Sequence, residues 1–297
     1  MRWKDLRIYL TDGSVKHLAN AVSANPTSRL RFLLSFHYYR STDLDKEFGR
    51  HPPRLMADSG AFSAQTVGAA IDTSSYAAWV KKWEHLFDSY ANLDVIGNAQ
   101  ATLDNQHRLE DMGLRPMPVF HVNEPWEYLE HYLENYDYIA LGGLVGVVHA
   151  KGMMPWLIKA FQMLRPSQCY HGFGLTSWEL LASLPWGSVD SSSWGAGYRY
   201  GRMPMFSTRL CKFVYVTLGD TSSCFQWRHL FALHGFDWKD FADRSRYDRS
   251  KVITVSANAY LKAEAWLTKR HNQAVPIWLA GLNQHDLSNM KGIALHV

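Results

Sequence analysis

The chain has only 3 cysteines in 297 residues, Cys169, Cys211 and Cys224. An odd number at such wide spacing excludes a disulfide framework and a four-cysteine zinc knot. No run reaches the roughly 18 uninterrupted apolar residues of a membrane helix. The opening stretch MRWKDLRIYL carries charges where a signal peptide would have its apolar core, so the expected setting is a reducing cytoplasm, or the host cytoplasm for a virus-encoded chain. HxH, HExxH and CxxC are all missing, which removes the usual ligand spacing for metal-assisted hydrolysis. The glycine clusters GGLVG and HGFGLTS are too short to mark a phosphate-binding loop, so neither a metal nor a cofactor is expected. Repeats, low-complexity tracts and linkers are lacking as well.

What is present is ordinary globular composition: 47% apolar and 20% charged residues, with 31 Lys/Arg against 27 Asp/Glu for a net charge of +4. The surplus is not evenly spread. Between Arg199 and Arg270 there are 13 basic and 6 acidic residues, a balance of +7, interleaved with Tyr198, Tyr200, Phe225, Trp227, Trp238 and Tyr247. That mixture suits phosphate contacts and base stacking, and suits equally a solvated helical face with ordinary aromatic packing.

Short β-branched and aromatic runs alternate with segments of helical period, as in a sheet built from βα units. Strands are predicted near 6–10, 31–37, 54–58, 92–97, 117–122, 138–142, 168–173 and 187–191, and helices at 74–88, 101–112, 125–135, 153–165 and 177–184. Eight strands with crossover helices suit a (β/α)8 TIM-like barrel, an α/β fold, with an open doubly wound sheet as the alternative. The regular pattern breaks over an irregular basic insertion at 195–250, and a further helix is expected at 252–270. The economical reading is one domain over 1–297.

Chemistry in such a barrel sits at the carboxyl ends of the strands. There the sequence delivers Asp58-Ser59-Gly60-Ala61-Phe62, Asp94, Phe120-His121, Gly142-Gly143-Leu144, His171-Gly172-Phe173-Gly174 and Asp190-Ser191-Ser192-Ser193-Trp194. Each piece alone reads as a turn former, a helix cap or a satisfied polar group. Together, three carboxylates around one mouth would raise the pKa of at least one of them, and a pair of carboxylates is what displacement at a glycosidic carbon requires.

With these residues assembled, roughly 54 to 202 of the chain resembles the tRNA-guanine transglycosylase superfamily, and within it the shorter virus- and bacterium-encoded enzymes that place 7-deazaguanines in DNA. DSGAF at 58–62 is similar to the family's DSGGF, which implies Asp58 as general acid/base, with Ser59 at the base and Phe62 stacking on it. NLDVIG resembles the segment whose Asp, here Asp94, reads the guanine edge. PVFH puts His121 where tRNA enzymes carry a base-reading Gln. IALGGLVG resembles the turn whose backbone, here Gly142, Gly143 and Leu144, meets the base, and HGFG implies His171 and Gly172 on its other side. VDSSSW is similar to the nucleophile strand, making Asp190 the nucleophile.

The resemblance implies exchange of guanine for a preQ0-like 7-deazaguanine base through a covalent Asp190–C1′ intermediate, with no ATP or redox cofactor. The family's CxCxxC-plus-His zinc site has no counterpart here, so no zinc subdomain is expected and DNA is favoured as partner over tRNA; a zinc-less tRNA-guanine transglycosylase is the alternative. Tyr198, Arg199, Arg202, Arg246 and Arg249 are the candidate nucleic-acid contacts. A helper protein that opens the duplex is compatible with this reading.

Overall fold

The computed structural model describes residues 5–25, 30–48, 53–66, 68, 70–144, 150–175, 177–243, 245 and 248–278. Eight short runs become parallel strands: β1 (Arg7–Thr11), β2 (Arg31–Ser35), β3 (Arg54–Asp58), β4 (Phe87–Tyr90), β5 (Val119–His121), β6 (Tyr138–Gly142), β7 (Cys169–Gly172) and β8 (Ser188–Ser191). Their order is β4-β3-β2-β1-β8-β7-β6-β5, each parallel to its neighbours, with helices in the connections. The sheet curls until its two edges meet at an isolated parallel bridge between Ala91 and Met117, where Asn92 N–H donates to the Met117 carbonyl at 2.9 Å and Met117 N–H to that of Tyr90 at 2.8 Å. Eight parallel strands alternating with helices in this way are consistent with a (β/α)8 TIM-like fold.

Side-chain alternation divides the strands into two faces. Tyr9, Leu33, Met56, Ala91, Met117, Val119 and Ala140 pack together on the inner, concave face. Their neighbours one position along, among them Ile8, Phe32, Leu55, Phe120, Ile139 and Val189, join the larger outer core under the helices. Two residues on from Tyr9, Leu33, Met56, Val119 and Ala140, on the same face, come Thr11, Ser35, Asp58, His121 and Gly142 at the carboxyl ends, and on β8 Asp190 aligns with Tyr9. That step of two converts apolar strands into polar strand ends.

The fourth strand differs from its sequence expectation. The helix Thr73–Trp83 stops early, a single 3-10 turn follows at Glu84–Leu86, and the strand is FDSY at 87–90, not NLDVIG at 92–97. NLDVIG reads as a strand because it alternates, but its backbone is held by the next helix, Ala99–Asp111. Thr102 Oγ1 accepts from Val95 N–H at 2.9 Å, and the Asn105 side chain donates to the Leu93 carbonyl at 2.9 Å. Asp94 therefore stands in the loop beyond β4.

Over 195–250, expected to be irregular, the chain forms the helix Ala196–Tyr200, an antiparallel hairpin of β9 (Arg202–Ser207) and β10 (Lys212–Thr217), and the helices Thr221–Gln226, Arg228–Ala232 and Lys239–Ala242. A long helix, Arg249–Trp278, follows, extending the expected 252–270 at both ends. Glu264 ties it to the sheet: Ile8 N–H donates to Oε2 at 2.7 Å and the Arg31 guanidinium to Oε1 at 2.5 Å. No described helix is long and apolar enough to cross a membrane.

Candidate active site

β3 ends at Asp58, and Gly60, two residues on, has φ +77°. A Cβ there would lie 2.1 Å from Ser35 Oγ and 2.7 Å from His37 Cβ, so only glycine lets the chain turn this close to the end of β2. The turn folds the Gly60 N–H back to donate to Asp58 Oδ2 at 3.0 Å. Burial, then the charges of Asp94 and Asp190, push the Asp58 carboxyl up to about 8, against the weaker pull of the Gly60 and Ser59 backbone. The site therefore favours the protonated form of Asp58 far more than water does.

Asp190 on β8 is nine-tenths buried and held on both oxygens. Thr11 Oγ1, at the end of the adjacent β1, donates to Oδ2 at 3.0 Å, and Gly174 N–H, just past β7, donates to Oδ1 at 2.7 Å. His171 lies beneath it, with Nε2 3.4 Å from Asp190 Oδ1 and Nδ1 2.6 Å from Ser188 Oγ, which also meets the Tyr138 hydroxyl. The His171 ring is fully buried and packs edge-on against Phe173 and Tyr9. This places it below the mouth, where the face expected to stack on a base is covered by protein; the register explains it, since His171 aligns with Ala140 and Ser188 in the inner layer.

Asp94 reaches the same mouth from its loop. Its Oδ2 lies 2.9 Å from His121 Nε2 and its Oδ1 3.4 Å from Ser59 Oγ. The other imidazole nitrogen of His121 lies 3.1 Å from Glu124 Oε1, and Glu124 Oε2 accepts the His121 backbone N–H at 2.8 Å. Burial alone would lower the His121 pKa, but hydrogen bonds to Asp94 and Glu124 outweigh it and push the value up to about 9. Gly142, paired with His121 across β5 and β6, leaves room for this ring: a Cβ would sit 2.5 Å from His121 Cδ2. Gly143 has φ +75° and lies against Val122, while Leu144 is buried in the outer core.

Other predicted positions fall elsewhere. A Cβ on Gly172 would point at the Trp186 ring, 2.9 Å away, so its open side faces outer packing and not the mouth. Phe62, in the helix Ala61–Thr66, is 60% exposed. Tyr198 is buried with its hydroxyl donating to Asp12, which removes it from the exposed contacts. Arg199 bends back to the Ser192 carbonyl with Nη1 3.5 Å from Asp12; Arg202 stacks over Tyr215, and Arg249 is exposed. Arg246 lies outside the described residues. Sequence reasoning missed Thr11, Asp12, Ser188 and Glu124. Only Glu124 left a signal, three residues after His121 with a turn-forming Asn between them.

Among the described residues, no three His, Cys, Asp or Glu side chains are grouped as a metal site. No protein-family model matches the chain, and neither does any curated protein.

Proposed function

We propose that the chain exchanges guanine in DNA for a 7-deazaguanine base, acting as a guanine transglycosylase. The observation that carries this reading is the division of labour among three carboxylates at one mouth: Asp190 is oriented by two donors and Asp94 by His121, while Asp58 beside them is pushed well above the ordinary carboxylate range. Asp190 attacks C1′ of the target nucleotide and the C1′–N9 bond breaks. Asp58 gives its proton to the departing guanine, leaving a glycosyl ester on Asp190. A 7-deazaguanine then loses its N9 proton to Asp58 and attacks C1′, and Asp190 departs. Two displacements retain the β configuration. Asp94 accepts from the N1–H and N2–H edge common to guanine and its 7-deaza analogues, a pairing adenine cannot offer, and the exposed Phe62 covers one face of the base in this reading.

The target nucleotide must leave the helical stack, at a cost of a few kcal/mol that contacts outside the pocket offset. Arg199, Arg202 and Arg249 are the described basic residues proposed for phosphate. The test offers equal DNA and unmodified tRNA with 7-cyano-7-deazaguanine, and digests both to nucleosides for mass spectrometry. Modified nucleoside in DNA is expected. Modification of tRNA alone would transfer the reading to a zinc-less tRNA-guanine transglycosylase, and modification of neither would remove it.

A further inference from the structure

Asp94 and Glu124 approach His121 from opposite ends of the ring, at 2.9 and 3.1 Å. A neutral imidazole has one N–H and one lone pair, so between two carboxylates it would aim a lone pair at one of them. A ring protonated on both nitrogens satisfies both. The local chain is shaped for this contact. His121, Val122, Asn123 and Glu124 form a turn in which Glu124 N–H donates to the His121 carbonyl at 3.2 Å, with Asn123 left-handed at φ +72° in the third position. The turn swings the Glu124 carboxylate back onto both the ring and the backbone N–H of His121, and the missing side chain of Gly142 leaves space for the ring.

We propose that His121 is a fixed imidazolium, locked by Glu124, that acts as counter-ion to Asp94 and keeps it a pure acceptor, so that the site takes only a base presenting two adjacent donors. His121 and Glu124 are positioning residues in this scheme, because the group that meets the base is Asp94. The inference about the base rests on the transglycosylase reading; the charge of the ring does not. The groups facing the ring are Asp94 from the β4 loop and Glu124 from its own turn, with Asp58 coupled beyond Asp94 and Tyr132 of the next helix behind Glu124. Without the cation, Asp94 would face the Asp190 carboxylate across the mouth with no opposite charge beside it, which favours its protonated form. A protonated Asp94 gives up one of its two acceptor oxygens.

Two measurements on the full chain test this separately. In the first, histidine-labelled protein is followed by nitrogen NMR, with the His121 signal assigned from His121→Gln. The expected result is a ring carrying protons on both nitrogens up to pH 8, and a transition in Glu124→Gln that falls at least one pH unit lower than in the native chain. A native ring that titrates near the ordinary 6.5, or one indifferent to Glu124→Gln, overturns the proposal. If Glu124→Gln does not fold, the native titration alone decides.

In the second, binding of radiolabelled guanine is measured by equilibrium dialysis from pH 5 to 7.5. Native affinity should stay level, whereas in His121→Gln it should fall roughly tenfold per pH unit over the acid part of the range. Parallel profiles for the two proteins overturn the role assigned to the counter-ion. Absence of guanine binding by the native chain at any pH would instead count against the transglycosylase reading and with it the choice of base, leaving the NMR result to decide the charge of the ring.

Discussion

Desolvation at the end of β3 and two neighbouring acids push the Asp58 carboxyl up, and the sign of its effect on stability follows. Its folded value of about 8 is raised above the unfolded carboxyl range near 4. The stability this group contributes is therefore fully present below about pH 4, and is lost as pH rises toward 8. Asn cannot titrate, so the melting temperature of Asp58→Asn relative to the native chain should rise between pH 5 and pH 8; a constant difference would mean that the carboxyl is not held protonated. Exchange should be lost in the same variant for want of a proton donor. Asp190→Asn is nearly isosteric and its amide oxygen can still accept from Gly174 N–H, so folding should survive while exchange disappears. Native protein incubated with DNA should give a denaturation-resistant adduct on gels, and this variant none. These two carboxylates were legible in the sequence because each ends an apolar strand. The burial of His171 was not, because a residue's depth along an inward face depends on register with β6 and β8.

At the scale of elements, the turn after β5 is the feature most open to test. Asn123 occupies left-handed backbone, which glycine adopts without strain and a β-branched residue resists. Asn123→Gly should leave urea denaturation nearly unchanged, whereas Asn123→Val should cost about 1–3 kcal/mol. The Val variant should also release Glu124 from His121, weakening guanine binding; equal stability of the two would show that the turn is not under this constraint. The fourth strand teaches a related lesson. NLDVIG alternates better than FDSY, which reads apolar-polar-polar-apolar, yet FDSY is the strand: Thr102 and Asn105 capture the backbone of NLDVIG, while FDSY finds β3 as partner. Those side chains follow the segment in sequence, but their hold on it exists only once the helix has docked.

Taken whole, the molecule joins a curled parallel sheet to a C-terminal hairpin and long helix, and the basic surplus of 199–270 lies in that second part. Under the proposed function, phosphate contacts there release counterions, so DNA binding should weaken steeply with salt. Arg202→Gln and Arg249→Gln should each flatten the slope of log affinity against log salt by about one, measured by fluorescence anisotropy; an unchanged slope would place the DNA elsewhere. Tyr198 is withdrawn from this surface by Asp12, an acid whose importance is invisible until β1 and the helix after β8, 186 residues apart, come together. The sequence by itself determined seven of the eight strands and the residue types at their ends, but not the fourth strand, because alternation and turn chemistry act over a few neighbouring residues. Only the tertiary structure decided which strand end faces which: that Asp58 feels Asp94 and Asp190, that Thr11 and Gly174 hold Asp190, and that Asp94 and Glu124 share His121. Those relations depend on sheet order and closure, which bring together residues that sequence spacing does not relate.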